Sequence, residues 1–376
     1  MVKVGINGFG RIGRLAFRVG VHDHPSEIEF VAINTSGSMN VEGWAHLVNY
    51  DTTYRKFAKE IGSRRVKDVK EIDPQSLDED PVIGYLLVDN AEIPVLAQKE
   101  PSKIPWDKFG VDVVIESTGR FVTEDGAKQH ALGGAKRVII SAPSKGGNIG
   151  TYVIGVKDYE ATASKGIDII SNASCTTNCV APVAAVLHGR FGIEKAMMTT
   201  IHGYTDDQNL QDNSHKDMRR ARAAAENIIP TSTGAATAAT ETIPELKGIF
   251  DGSSLRVPVI TGSITDFTVL LKKDVTVEEV NAAFKEAAEN AIYKGVVATT
   301  EEPLVSSDII GRTESAIVDL SLTQVVAGNL VKVFAWYDNE WGYTNRLVEQ
   351  VIRVGKTLGS EKAPSDPISL TFGENS

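Results

Sequence analysis

The first thirteen residues constrain this 376-residue chain more than any other stretch. Val2–Ile6 is a short apolar run of β type, and Gly8-Phe9-Gly10-Arg11-Ile12-Gly13 follows at once, matching G-x-G-x-x-G. Ile12, Leu15, Ala16 and Val19 then recur at helical spacing, and Ile28–Ile33 forms a second β-rich run. Strand, glycine turn, helix, strand is how a dinucleotide-binding unit opens. The first glycine permits the tight turn, the second lets backbone approach a pyrophosphate, and the third lets helix and strand pack closely. The helix N-terminus adds a positive dipole. A glycine triplet alone is weak; between a strand and a helix it points to a dinucleotide. Gly8, Gly10, Arg11, Ile12 and Gly13 are therefore candidate cofactor-binding residues.

The same alternation continues with Val111–Ile115, a helix opened by Thr123, and Arg137–Ile140. It predicts an α/β, doubly wound, Rossmann-type parallel sheet. The second half changes character. β-rich runs occupy Leu255–Leu271, Ser315–Leu320 and Asn329–Trp336. Thr276 and Glu279 form a capping box for a helix whose apolar face is Val280, Phe284, Ala287 and Ala291, with Gly295 as its stop. This predicts an α+β domain with a mixed or antiparallel sheet covered by long helices. Two segments read as additions: between Arg55 and Asp80, 14 of 26 residues are charged, which predicts a solvated surface insertion. From Lys356 onward, prolines with Ser, Gly and Glu predict an extended tail.

Composition narrows the function classes. With 42% apolar and 23% charged residues the chain is an ordinary globular one, long enough for two domains. The balance of 39 basic to 49 acidic residues argues against nucleic acid as a partner. No stretch approaches the roughly 18 apolar residues a membrane span needs, and no apolar targeting segment opens the chain, so a cytoplasmic protein without a membrane partner is expected. Cys175 and Cys179 are the only cysteines. That excludes a disulfide scaffold and a multi-cysteine metal cluster, and no metal site is expected.

Dinucleotide sites selective for NAD place an acid at the end of the second strand, where it holds the ribose 2′-hydroxyl. Here the strand ends Val31-Ala32-Ile33-Asn34, followed by Thr35-Ser36-Gly37-Ser38. No carboxylate stands there to repel a 2′-phosphate, and hydroxyls are available to bind one. Asn34, Thr35 and Ser36 are candidate cofactor contacts.

The densest chemistry lies in Ser171–Cys179, Ser-Asn-Ala-Ser-Cys-Thr-Thr-Asn-Cys, between the β-rich run Ile167–Ile170 and a helix. Cys175 stands at that junction among polar neighbours, where a helix N-terminus favours thiolate, so it reads as a nucleophile. Cys179, one turn deeper beside Val180, reads as buried. A thiol nucleophile needs a base, and His202 ends another β-rich run; from its own surroundings it could equally be structural. His22, His24 and His46 lie in the cofactor half, and His130 and His188 fall in helices.

These residues, with Glu116–Phe121, Ser141–Pro143, Asn227–Ala236, Leu255–Pro258 and Trp336–Tyr343, resemble the phosphorylating glyceraldehyde-3-phosphate dehydrogenase family along nearly the whole chain. The resemblance implies that Cys175 is the nucleophile and His202 its activating base. It implies that Thr205 and Arg256 hold the phosphate of glyceraldehyde 3-phosphate, with Asp206 orienting the arginine. Ser174, Thr233 and Gly234 would bind the attacking inorganic phosphate, helped by Arg220, and Thr176 would border both sites. Ser117, Thr118, Gly119 and Ser141 would line the cofactor, and Asn339, with Tyr343 beside it, would hold the nicotinamide carboxamide. A homotetramer is implied, as is a last helix that returns to the first domain. The boundaries expected are 1–173 with 338–356 for the dinucleotide domain, 174–337 for the catalytic domain and 357–376 for the tail.

Two positions depart from NAD-specific members: Thr35 replaces the usual Asp, and Asn213-Ser214 replaces Leu-Pro in the loop that reaches a neighbouring subunit's cofactor. Serine at 214 resembles the NADP-using photosynthetic relatives. Use of both NADP and NAD, with NADP favoured, is expected. Erythrose-4-phosphate dehydrogenase, on the same scaffold, is the neighbouring reading, but its members usually break the phosphate loop that is intact here at Thr233–Ala236. A binding module that has lost catalysis is the reading from another class.

Overall fold

The structure is a computed structural model that describes residues 1–75, 81–158 and 168–358. Its described residues form two compact units. One holds Met1–Thr151 with residues 168–172 and 344–358; the other holds Tyr152–Asp158 and Ala173–Tyr343.

The first unit is built as its opening predicts. β1 (Val2–Asn7), α1 (Arg11–Asp23) and β2 (Ile28–Thr35) lead into α2 (Val41–Asn49) and a two-strand ladder, β3 (Tyr50–Asp51) with β4 (Arg55–Lys56). β5 (Ile61–Arg65), β6 (Val82–Val88), β7 (Ala91–Ala97) and β8 (Val113–Glu116) follow. Then come α3 (Glu124–Leu132), β9 (Arg137–Ile140), β10 (Gly150–Thr151) and β11 (Asp168–Ser171). The sheet order is β10-β11-β9-β8-β1-β2-β7-β6-β5, parallel from β10 to β7 and antiparallel beyond. Val4, Ile6, Val113, Val114, Ile115, Val138, Ile139 and Ile140 are fully buried, as central parallel strands with both faces covered require. The chain runs from β1 to β2 on one side and returns to β8 on the other. That reversal is where a doubly wound sheet opens a crevice at its strands' carboxyl ends.

The charged segment 55–80 is not wholly an addition to this sheet. Ile61 is buried, and Ile61–Arg65 pairs with β6 as the edge strand, its arginines pointing to solvent as an edge demands. Residues 76–80 of that segment, and 359–376 of the expected tail, lie outside the described residues.

The second unit begins with α4 (Cys175–Phe191) and β12 (Ile193–Gly203), then β13 (Ile229–Thr231) and α5 (Ala235–Thr242). β14 (Phe250–Val257), β15 (Ser263–Leu271), α6 (Val277–Glu289), β16 (Val297–Thr300) and β17 (Ala316–Asp319) follow. β18 (Gln324–Val326), β19 (Leu330–Tyr337) and α7 (Trp341–Lys356) end the described chain, α7 grouping with the first unit from Thr344. The sheet is mixed, in the order β13-β14-β12-β15-β19-β17-β16, with β18 on β19. α4, α5 and α6 bury their apolar faces in one core with Met198, Phe267, Val269, Val331 and Val333. The β-rich run from Leu255 to Leu271 is two strands, separated at Pro258–Gly262. The capping box of α6 is present, with Thr276 Oγ1 accepting from Glu279 N and Glu279 Oε2 from Thr276 N, but the helix ends at Glu289, ahead of Gly295. Among the described residues no helix is long and apolar enough to cross a membrane.

Candidate active site

The three glycines of the opening turn differ in why they are glycine. Gly8 has φ +96°, and a Cβ there would meet Thr118 N at 2.7 Å. A Cβ on Gly13 would meet the Gly8 carbonyl at 2.2 Å, which is close helix-on-strand packing. Gly10 has an ordinary φ of −72° and nothing within 4 Å of a Cβ, so the chain itself does not require a glycine there. Gly10 also stands at the N-terminus of α1, which no side chain caps. An open cradle beside uncapped amides fits the pyrophosphate of a dinucleotide.

Behind the turn runs a buried polar network that sequence patterning did not single out. Glu116 accepts from Asn7 Nδ2 (2.6 Å), from the Thr118 amide (2.8 Å) and from Nε2 of His130 (2.9 Å). Trp106 donates to His130 Nδ1 at 3.0 Å, which puts the imidazole proton on Nε2, facing the carboxylate. Asn34 Nδ2 donates to Asn7 Oδ1 at 2.7 Å, and Ser117 Oγ to the Gly8 carbonyl at 2.7 Å. The Ser141 amide donates to the Glu116 carbonyl at 3.0 Å. The strand ends carrying Asn34, Ser117, Thr118, Gly119 and Ser141 are thereby held to the glycine turn, and Arg11 pairs with Asp51. Thr35 departs from expectation: its hydroxyl donates to the Leu96 carbonyl at 2.9 Å and is buried, so it is not a free donor for a 2′-phosphate. Ser36 and Ser38 are exposed, with their hydroxyls 2.9 Å apart.

In the second unit Cys175 is the first residue of α4, after the N-cap Ser174, whose Oγ accepts from Thr177 N at 3.0 Å. Ala173 turns the chain with φ +55°. Cys175 Sγ lies 3.4 Å from His202 Nε2. His202 is buried, and burial together with the Arg256 charge holds its imidazole down at about 3. Burial also pushes the Cys175 thiol up, against the Arg256 charge and the first amides of α4; the lowering expected from the helix N-terminus is outweighed by desolvation. Cys179 is buried as expected, and burial drives its thiol far upward.

Arg256 reaches this pair through sheet register. On the parallel strands β12 and β14 His202 and Arg256 are Cα partners. Arg256 Nη1 lies 2.6 Å from His202 Nδ1 and 3.2 Å from the Gly203 carbonyl, while its buried Nε has no partner. Asp206 was expected to orient this arginine. It is exposed instead, and none of the nitrogens of Arg256 bonds to it. The neighbouring Asp207 pairs with Arg220, which also donates from Nε to Thr231 Oγ1 at 2.8 Å and lies 3.4 Å from Asp217. Arg220 is thus already satisfied within the chain.

The remaining candidates occupy helix starts and turns. The Thr205 amide donates to Gln208 Oε1 at 3.3 Å, leaving the buried Gln208 Nε2 without an acceptor. Thr233 Oγ1 accepts from Ala235 N at 3.1 Å, and Gly234 precedes α5 with an ordinary φ of −88° and nothing within 4 Å of a Cβ. Thr176 turns its hydroxyl inward to Tyr337 OH (2.9 Å), which also meets Thr200 Oγ1 at 2.8 Å. That is not a hydroxyl free to border two phosphate sites. Tyr337 was missed, though strand alternation two residues before Asn339 carries the signal. Tyr343 OH donates to the Ala173 carbonyl at 3.1 Å. Ser214 is exposed after β12, its amide donating to Asn213 Oδ1 at 2.7 Å.

Residues 2–124 match the profile of the glyceraldehyde 3-phosphate dehydrogenase NAD binding domain, and residues 174–339 that of the glyceraldehyde 3-phosphate dehydrogenase C-terminal domain. The chain is 50% identical over 357 residues to glyceraldehyde-3-phosphate dehydrogenase of Streptomyces coelicolor, covering 95% of this chain and 99% of that one. It is 49% identical over 349 residues to glyceraldehyde-3-phosphate dehydrogenase 1 of Bacillus cereus, covering 93% and 97%. With glyceraldehyde-3-phosphate dehydrogenase of Geobacillus stearothermophilus it shares 48% over 348 residues, covering 93% and 96%. A dinucleotide turn, a cysteine opening a helix beside a buried histidine, and likeness along almost the whole length agree: the chain belongs to the glyceraldehyde-3-phosphate dehydrogenase family of oxidoreductases, with a nicotinamide dinucleotide as cofactor.

Proposed function

We propose that the chain oxidises glyceraldehyde 3-phosphate with inorganic phosphate to 1,3-bisphosphoglycerate, reversibly, through a thioester on Cys175. The observation that carries this reading is the 3.4 Å approach of Cys175 Sγ to His202 Nε2 at the start of α4. As the sulfur bonds the aldehyde carbon, its proton passes by way of His202 Nε2 to the carbonyl oxygen, which becomes the hydroxyl of a hemithioacetal and leaves His202 neutral again. The first amides of α4 have no intrahelical acceptors and face the charge that develops there. The bound nicotinamide supplies the acceptor for the hydride that leaves the hemithioacetal carbon. His202 holds the hydroxyl proton released at that step, and the thioester keeps the oxidation energy. A phosphate oxygen then attacks the thioester carbon, the C–S bond breaks, and the acyl phosphate leaves.

His202 has two workable tautomers. With Nδ1 bare it accepts from Arg256; with Nδ1 protonated it donates to the Gly203 carbonyl, 2.6 Å away. The second leaves Nε2 free to take the thiol proton. Substrate phosphate drawing on Arg256 through the unpartnered Nε, with Thr205 as its second partner, favours it. Ser174, Thr233 and Gly234 serve the attacking phosphate, with the open space at Gly234 giving room. Arg220 serves there on exchanging Asp207 for the anion, and Thr176 contributes its amide rather than its hydroxyl.

Asn339 and Tyr343 hold the nicotinamide end of the cofactor, and the glycine turn the pyrophosphate. Both NADP and NAD are used, NADP being favoured because no carboxylate stands at Thr35 and the exposed hydroxyls are those of Ser36 and Ser38. The working form is a homotetramer in which Ser214 reaches a neighbour's cofactor. Cofactor reduction on glyceraldehyde 3-phosphate should require phosphate or arsenate and vanish in Cys175→Ala. Near-normal turnover of that variant would overturn the covalent route. Reduction that ignores phosphate would favour the erythrose-4-phosphate dehydrogenase reading.

A further inference from the structure

Asn339 lies two residues past β19, and its side-chain oxygen is held from two directions. Ser263 Oγ donates to Asn339 Oδ1 at 2.7 Å and Thr261 Oγ1 at 3.0 Å. All three residues are buried. Ser263 Oγ itself accepts the Gly203 amide at 3.2 Å, so its proton is the one it has left to give, and Oδ1 is the acceptor it meets. Reversing the amide would strand that proton in a site without water access. Thr261 adds a weaker second hold, since its single proton is shared with Asp338 Oδ1 at 3.2 Å. Asp338 is fixed in turn by the amides of Glu340 (2.9 Å) and Trp341 (2.8 Å) on Oδ1 and of Gly311 (2.8 Å) on Oδ2. Asn339 Nδ2 has no partner in the described chain.

We propose that Ser263 and Thr261 are positioning residues that lock the Asn339 amide with Nδ2 outward, so that it offers only donors to the carboxamide oxygen of the nicotinamide. The lock decides which way round the ring is held. Because Ser263 also anchors the backbone next to His202, the amide that holds the ring and the strand that carries the base share one support. This rests on the assignment of Asn339 to the nicotinamide made above.

Calorimetric dissociation constants for NAD and for ADP-ribose, which lacks the nicotinamide, isolate the contact. The ratio of the two reads the nicotinamide end alone. Ser263→Ala should shrink that ratio about fivefold, and Thr261→Val, which keeps shape and removes the weaker hold, about twofold, while ADP-ribose binds as before. Thr261→Ser should restore it. Asn339→Ala is the reference. If it collapses the ratio while Thr261→Val and Ser263→Ala leave it as in the parent, the lock is wrong and the Asn339 assignment stands. If Asn339→Ala also leaves the ratio unchanged, both are overturned. Should Ser263→Ala not fold, the isosteric Thr261→Val with its serine rescue decides alone.

Discussion

Arg256 and His202 are register partners on neighbouring parallel strands, with Arg256 Nη1 2.6 Å from His202 Nδ1. A guanidinium has no lone pair, so while this contact is made the imidazole accepts at Nδ1 and carries its proton on Nε2, facing the Cys175 sulfur; the Gly203 carbonyl, 2.6 Å from Nδ1, takes the other tautomer when Arg256 turns to a phosphate. The group proposed to recognise the substrate's phosphate therefore also sets the protonation pattern of the base. Recognition and chemistry share an atom.

Removing Arg256 should thus cost more than affinity. Arg256→Leu is expected to lower kcat/KM for glyceraldehyde 3-phosphate by about a hundredfold or more, the loss of two charge-assisted hydrogen bonds. Turnover of unphosphorylated glyceraldehyde should fall far less. Alkylation of Cys175 by iodoacetamide at neutral pH should slow as well, because the Arg256 charge lowers the thiol's pKa. Equal losses on both aldehydes would remove Arg256 from phosphate recognition.

His202 should also mark the acid side of stability. Its folded value of about 3 lies below the ordinary 6.5, so between those two values the unfolded chain binds a proton that the folded chain refuses. Stability is then lost as pH falls through that window, by about 1.4 kcal/mol per pH unit from this group. Guanidinium midpoints across the window should show a shallower slope for His202→Gln than for the parent, and equal slopes would contradict the buried neutral imidazole.

Gly234→Ala separates fold from ligand. Nothing in the chain meets a Cβ there and the backbone is ordinary, so the melting temperature should hold to within the effect of about 1 kcal/mol of lost N-cap preference. The KM for inorganic phosphate should rise about tenfold if the anion lies against this backbone. A KM matching the parent would move the phosphate elsewhere.

Ser36→Asp tests cofactor choice. Ser36 is exposed just past β2, so a carboxylate there repels a 2′-phosphate and can hold a 2′-hydroxyl, and kcat/KM should move toward NAD by about tenfold or more. A parent enzyme that already prefers NAD tenfold would sink the expectation that NADP is favoured.

The local parts of this structure were legible in the sequence, and the parts set by strand register were not. The glycine turn, the Thr276 capping box and Cys175 opening α4 all rest on spacings of a few residues. The approach of Arg256 to His202 spans 54 residues and exists because β14 returns parallel beside β12. No periodicity announces that pairing. Asp207, not Asp206, faces an arginine because the turn after β12 chooses between adjacent carboxylates. The β2 pleat aims the Thr35 hydroxyl into the sheet rather than toward a ligand. The break at Pro258–Gly262 hides between two flanks of similar composition. Within β5, Ile61 is the one large apolar residue, followed by Gly62, Ser63 and two arginines, too little pattern to reveal an edge strand.

The left-handed turn at Ala173 makes the phase of α4 as consequential as its composition. Each residue of an α-helix advances the side-chain direction by about 100°. One residue gained or lost between Ala173 and Cys175 would swing the sulfur a quarter-turn or more from His202 while leaving every catalytic side chain in the chain. Insertion or deletion scanning across this junction should therefore abolish activity where many substitutions at the same positions only weaken it.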